Sequence, residues 1–242
     1  MLMKRTFKKP LSALLLIAAL SMINSVAMAV ERLQLATQNW PPYQTYNQGQ
    51  MAGIALELVQ CALQRMQQPY SFTMTSWDKA QLLVESNSMD GFFTGSSNAS
   101  RARYAVPSAP VITEELLWFI APDVSIDPED ESAKYQARYG AKFNTTKWLY
   151  LKRNGYNVLK KPRDADVLLQ MLWKGDLDVA LEYRNVFEHS MKKQGIPMDY
   201  FTRVYRSKKD LSVHFGKPFL KQNPAFLNTF NTSMERCKKS SL

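Results

Sequence analysis

The chain is poor in the residues from which reactive sites are most often built: its 242 residues include two cysteines and two histidines. None of Cys61, Cys237, His189 and His214 stands at a zinc-ligand spacing from another. No Gly-rich phosphate loop, no Gly-x-Ser-x-Gly elbow and no helical pair of histidines occurs. The acids that do come in pairs, Glu114-Glu115 and Asp164/Asp166, are spaced like a strand end and a helix start. A metal, a cofactor or an ordinary enzyme signature is therefore not expected. Long apolar runs are scarce too. Beyond the N-terminal segment the longest, Leu116 to Ala121, has six residues. That length suits a buried strand and falls far short of the roughly 20 residues a membrane-spanning helix needs.

A hydrophobic content of 45% with 12% aromatics is ample for a buried core and excludes a disordered or fibrous chain. Met1 to Ala29 reads as a secretory signal: Lys4, Arg5, Lys8 and Lys9, then the apolar run Leu11 to Ile23, then Ala27-Met28-Ala29 as a small-x-small cleavage site. The first cysteine, Cys61, stands too far on to carry a lipid anchor. Export with cleavage after Ala29 is expected, giving a soluble, monomeric periplasmic product. Lys and Arg exceed Asp and Glu by 31 to 21, and by 27 to 21 without the four N-terminal cations, an excess of +6. Such an excess permits weak attraction to anions and lacks the dense basic footprint of a nucleic-acid binder. Export also places the cysteines where a disulfide can form. Cys61 follows Ile54 and Leu58, and Cys237 follows Phe226, Phe230 and Met234, at helical spacing, so both thiols are expected to face the core. A bridge, two unrelated buried thiols and metal ligation are all compatible with that placement.

Leu33 to Thr37 alternates like a strand and runs into Trp40-Pro41-Pro42-Tyr43, where two prolines forbid regular structure. Gly53 opens a helical pattern through Met66, and a second helix from Trp77 to Glu85 precedes a short buried strand after Asp90. The same order recurs with Asp164 as N-cap, apolar Val167, Leu168, Met171 and Leu172, Gly175 as C-cap, then Asp178 to Leu181. Two similar α/β halves follow, with mainly parallel sheets and helices on both faces. Asp123 to Glu131 is an acidic spacer loop. Residues 132–163 carry nine Lys and Arg and no acid, which reads as a solvated face or as an electrostatic funnel for a small anion.

The stretch Asp90 to Pro110, Asp-Gly-Phe-Phe-Thr-Gly-Ser-Ser-Asn-Ala-Ser-Arg-Ala-Arg-Tyr-Ala-Val-Pro-Ser-Ala-Pro, resembles the family 3 solute-binding proteins. That family has an Asp opening a short strand, a polar turn, and an Arg seven residues before the Ser of a Phe-Ser-x-Pro-like segment, the spacing of Arg101 and Ser108 here. Val106-Pro107 replaces the usual aromatic pair. The resemblance extends to Trp40-Pro41-Pro42-Tyr43, to Gly53-Ile54-Ala55-Leu56-Glu57-Leu58, to Leu172-Trp173-Lys174-Gly175-Asp176-Leu177-Asp178 and to Lys217-Pro218, and so covers nearly all of the exported chain.

What the resemblance implies is an α/β, two-lobed periplasmic binding protein fold (type II), with two crossover strands joining the lobes and a ligand cleft between them. Residues 30–113 with 206–242 would form the first lobe and 114–205 the second. This topology brings the helices bearing Cys61 and Cys237 into one lobe and favours their bridge. In the family the Arg at position 101 holds the ligand carboxylate, for which a guanidinium offers a planar two-point fork. Thr94 and Ser96 can donate to the same group, although ordinary turn chemistry explains them too. Asn144, Thr145 and Thr146 precede a helix whose free amides suit an anion, or simply provide a Thr N-cap. Trp40 and Tyr43 can cover an apolar ligand body, or pack in the core. Amino-acid binders of the family place an Asp five residues after the Asp of the second Gly-x-x-Asp pattern, to pair with the ligand ammonium; here that position is Tyr183, with Glu182 beside it. The implied function is capture of a small polar, carboxylate-bearing solute for an ABC-transporter permease in the inner membrane. A sensor or receptor on the same fold is the first alternative. A periplasmic dehydratase or lyase-like enzyme using Glu182, Glu188 or His189 is the other.

Overall fold

The computed structural model describes Met1, Leu2 and residues 31–240, so the expected signal segment lies, apart from its first two residues, outside the described residues. The compact unit that begins at Arg32 holds the sheet and its helices. Its first strand, β1 (Leu33–Gln38), is buried at every position but Gln34. It runs into the Trp40 to Tyr43 loop, which a hairpin of β2 (Thr45–Asn47) and β3 (Gln50–Ala52) joins to α1 (Ile54–Arg65). The loop also caps that helix, since the Tyr43 carbonyl accepts from the amides of Ala55 at 3.0 Å and Leu56 at 3.3 Å. This close approach explains Gly53, whose φ is +121° and where a Cβ would sit 2.5 Å from the Tyr43 oxygen.

β4 (Tyr70–Thr75) leads to α2 (Trp77–Glu85), which Ser76 caps by accepting from the Lys79 amide at 3.3 Å. β5 (Gly91–Gly95) follows, and then the two longest strands, β6 (Ala105–Ile120) and β9 (Thr202–Gly216). These pair antiparallel from Ala105 opposite Gly216 to Ile120 opposite Thr202. Between them come α3 (Ala133–Gln136), β7 (Tyr139–Gly140), α4 (Thr146–Arg153), α5 (Ala165–Trp173), β8 (Val179–Tyr183) and α6 (Arg184–Gln194). After them, α7 (Lys217–Gln222) and α8 (Phe226–Ser240) return to the first half. The chain thus leaves one α/β half along β6 and comes back along β9.

The seven strands lie in the order β4-β1-β5-β9-β6-β8-β7. The flanking pairs, β1 with β4 and β5 and β7 with β8, are parallel, as alternating strands and helices imply. The central pairs are antiparallel, because β9 returns against the direction in which β6 left. Asp164 caps α5 by accepting from the Val167 amide at 2.8 Å, and Gly175 takes the left-handed conformation just past its end, with φ +75°.

Helical spacing misplaces two side chains. Ile54 is 53% exposed and Val167 37%, because the buried stripes run Ala55, Leu56, Val59, Leu63 on α1 and Ala165, Leu168, Leu169, Leu172 on α5, to one side of them. Cys61 is accordingly only partly buried, and Cys237 fully so. Their sulfurs form a disulfide joining α1 to α8, with Cα atoms 6.0 Å apart. Among the described residues no helix is long and apolar enough to cross a membrane, and no group of three or more His, Cys, Asp or Glu is placed to hold a metal ion.

Candidate functional site

The parallel neighbours β1 and β5 end side by side, and in open α/β sheets that carboxyl edge is where ligands are held. Gln38 and Trp40 follow from β1, and Thr94 and Ser96 from β5. Arg101 opens the short 3-10 turn Arg101–Arg103 that comes next, its amide fastened to Asn98 Oδ1 at 2.9 Å. Its side chain is 3% exposed. Nε donates to Gln81 Oε1 at 2.9 Å and Nη1 to the Ser96 carbonyl, while the guanidinium lies over the Trp77 ring. Among the described residues no carboxylate pairs with it, and burial lowers its pKa to about 10. Arg103, by contrast, is exposed and reaches Ser100 Oγ at 3.1 Å.

The facing wall comes from the loop before α4 and from β8. Thr145 caps α4, its hydroxyl oxygen accepting from the Trp148 amide at 3.3 Å, and Thr146 Oγ1 meets Ser96 Oγ at 2.9 Å. Lys142 and Lys147 flank these threonines and are buried. Lys142 Nζ donates to Gln38 Oε1, and burial lowers its pKa to about 8. Lys147 Nζ donates to Glu182 Oε1 and lies 4.0 Å from the centre of the Tyr183 ring. Burial lowers the Lys147 pKa as well, against the opposing pull of Glu182.

Together these walls enclose a cavity of about 30 Å³, enough for a water or two. Of the residues expected at a site, Trp40, Thr94, Ser96, Arg101, Thr145, Thr146 and Tyr183 line it. Tyr43 does not: its hydroxyl donates to Glu114 Oε1 on β6, which holds the ring beneath the loop. Asn144 turns away to donate to Asp78 Oδ1 at 2.6 Å. Glu182 is fully buried behind Lys147, so that of the two neighbours on β8 only Tyr183 reaches the cavity. Gln38, Trp77, Lys142, Lys147 and Leu211, which no sequence motif marks as site residues, complete the lining. The nine-cation stretch is therefore not simply a solvated face, since Lys134, Lys142 and Lys147 are buried within it. The lining is rich in donors, and the indole N–H groups of Trp40 and Trp77 meet no acceptor among the described residues.

The model of the bacterial extracellular solute-binding proteins, family 3, matches residues 33–242. No curated protein matches the sequence significantly. Among solved structures, a histidine kinase sensor domain with similarity to periplasmic binding proteins superposes with a TM-score of 0.73 at 15% identity, covering 87% of this chain and 92% of its own. The arginine-, lysine-, histidine-binding protein ArtJ of Geobacillus stearothermophilus gives 0.72 at 14%, covering 87% and 90%. The P235GK mutant of ArgBP from T. maritima gives 0.70 at 14%, covering 86% and 90%. At such identities the likeness is one of fold.

Proposed function

The chain belongs to the bacterial extracellular solute-binding proteins of family 3, and from that premise we propose that it is a monomeric periplasmic protein, exported by a signal cleaved after Ala29, that captures a small carboxylate-bearing solute for a membrane transporter. One observation carries the reading: Arg101 is a buried guanidinium in the cavity wall, and no carboxylate among the described residues pairs with it. A buried cation without an acid is costly unless something pairs with it, and a ligand carboxylate matches its fork. We take residues 30–113 with 206–242 as one lobe and 114–205 as the other. Side-chain contacts then join them, among them Ser96 to Thr146, Gln38 to Lys142, Asp78 to Asn144 and Arg163, and Tyr43 to Glu114 and Asn185. These contacts support the reading of a closed cleft, which a solute enters when the lobes swing apart about β6 and β9.

The sensor-domain neighbour favours a second reading, the same solute site coupled to a signalling protein rather than to a permease. Affinity capture from membranes, recovering one partner or the other, separates the two. The family is one of binding proteins, and Glu182 is engaged by Lys147. Glu188 pairs with Arg203 at 2.8 Å, and neither it nor His189 reaches the cavity. Native mass spectrometry of protein purified from the periplasm without denaturation tests the main reading. Wild type is expected to carry a co-purified small acid, and Arg101→Ala to carry none. A small acid retained equally by both would overturn the assignment of the site.

A further inference from the structure

From the charges around this cavity we infer that its solute is a small organic diacid without an ammonium group, held by Arg101 at one end and by Lys142 and Lys147 at the other. The inference deepens the solute-site reading and rests on it. Three cations line the cavity, with Arg101 3% exposed, Lys142 6% and Lys147 4%, and among the described residues no carboxylate lines it. Behind the wall, Glu182 neutralises Lys147. The acids that act on Lys142 are each engaged: Glu182 with Lys147, Asp78 accepting from Arg163 at 3.2 Å and from Asn144 at 2.6 Å, and Asp164 capping α5. Glu114, which also faces Lys147, is held by Tyr43 and by Asn185 Nδ2 at 2.6 Å.

Among the described residues Arg101 and Lys142 therefore remain as two buried charges without an acidic partner, and such charge is costly. A dianion offsets both. A zwitterionic amino acid brings no net charge and would set its ammonium beside the uncompensated charges of Arg101 and Lys142. Donor chemistry agrees, because the hydroxyls of Thr94, Ser96, Thr145 and Thr146 lie on the same walls.

Calorimetry and thermal unfolding of the exported chain test this with malonate, succinate and glutarate as diacids, butyrate as a monoacid, and L-glutamine and L-arginine as amino acids. At least one diacid is expected to bind about tenfold or more tighter than butyrate, glutamine or arginine. Lys142→Gln should weaken that diacid about tenfold and butyrate much less, with the fold checked by circular dichroism. Glutamine or arginine binding tightest, and lost in Arg101→Ala, would overturn the diacid and leave the solute site standing. Diacid binding unchanged in both Lys142→Gln and Lys147→Met would also overturn it. Silence toward every probe would overturn the inference and the solute-site reading together.

Discussion

The guanidinium carbon of Arg101 lies 4.9 Å from the centre of the Trp77 ring, a cation–π contact that helps to hold the group in place. Of its five donors, Nε and Nη1 meet protein acceptors, which leaves a fixed fork for a ligand. Arg101→Ala should weaken the preferred solute by about 1.5 to 3 kcal/mol, at least tenfold, in calorimetry. Arg101→Lys should recover only part of this, since an ammonium cannot reproduce the two-point contact. Arg103→Ala is the control and should change little. The reverse pattern, binding lost with Arg103 and kept without Arg101, would show the site to be misplaced.

Lys147 and Glu182 form a buried pair in which each depends on the other. Lys147→Met leaves the Glu182 carboxylate fully buried without its cation, and urea unfolding should show a loss of roughly 3 to 5 kcal/mol. Adding Glu182→Leu to that variant should restore much of the loss, because two apolar side chains need no partners. Losses that simply add in the double variant would show that the two charges act independently.

How far this site can be read from the sequence depends on how local each signal is. Caps and stripes are local, which is why Asp164, Gly175 and the span Trp77 to Glu85 are legible in the order of residues alone. Arg101 is legible through its spacing to Ser108. Lys142 and Lys147 are not, since they look like their exposed neighbours Lys152 and Lys160. What buries them is tertiary: Gln38 lies 104 residues before Lys142, and Glu182 lies 35 after Lys147. Tyr43 misleads for the same reason, its hydroxyl being claimed by Glu114, 71 residues further on.

The Cys61–Cys237 bridge closes a sequence separation of 176 residues, and on the chain-entropy model such a loop is worth about 5 kcal/mol. Replacing both cysteines by Ser should lower the unfolding midpoint in urea correspondingly, with α8 loosening first. Hydrogen exchange should then speed up in α8 before it does in β6 and β9. Equal midpoints for the variant and the oxidised wild type would show that packing of α8 alone holds the first half together.

Glu114 gives stability a pH dependence of unusual sign. Burial raises its pKa to about 7, although Asn185 donates to it from both its side chain and its backbone amide and thereby pulls the other way. The unfolded carboxyl titrates near the ordinary value of about 4.3, so between about 4.3 and 7 the folded state binds the extra proton. Stability from this group is fully present below the unfolded pKa and falls as pH rises through the folded one, the reverse of a salt-bridged carboxylate. The whole effect is on the order of 3 kcal/mol. Glu114→Gln keeps the shape and most of the hydrogen bonding of the neutral acid but removes the proton. The variant should therefore match wild type near pH 4, become progressively more stable than it toward pH 8, and keep the Tyr43 hydroxyl partnered. Urea unfolding across that range measures the difference. A constant gap between the two proteins at every pH would show that Glu114 titrates normally, and that its contact with Tyr43 holds the loop to β6 without regard to charge.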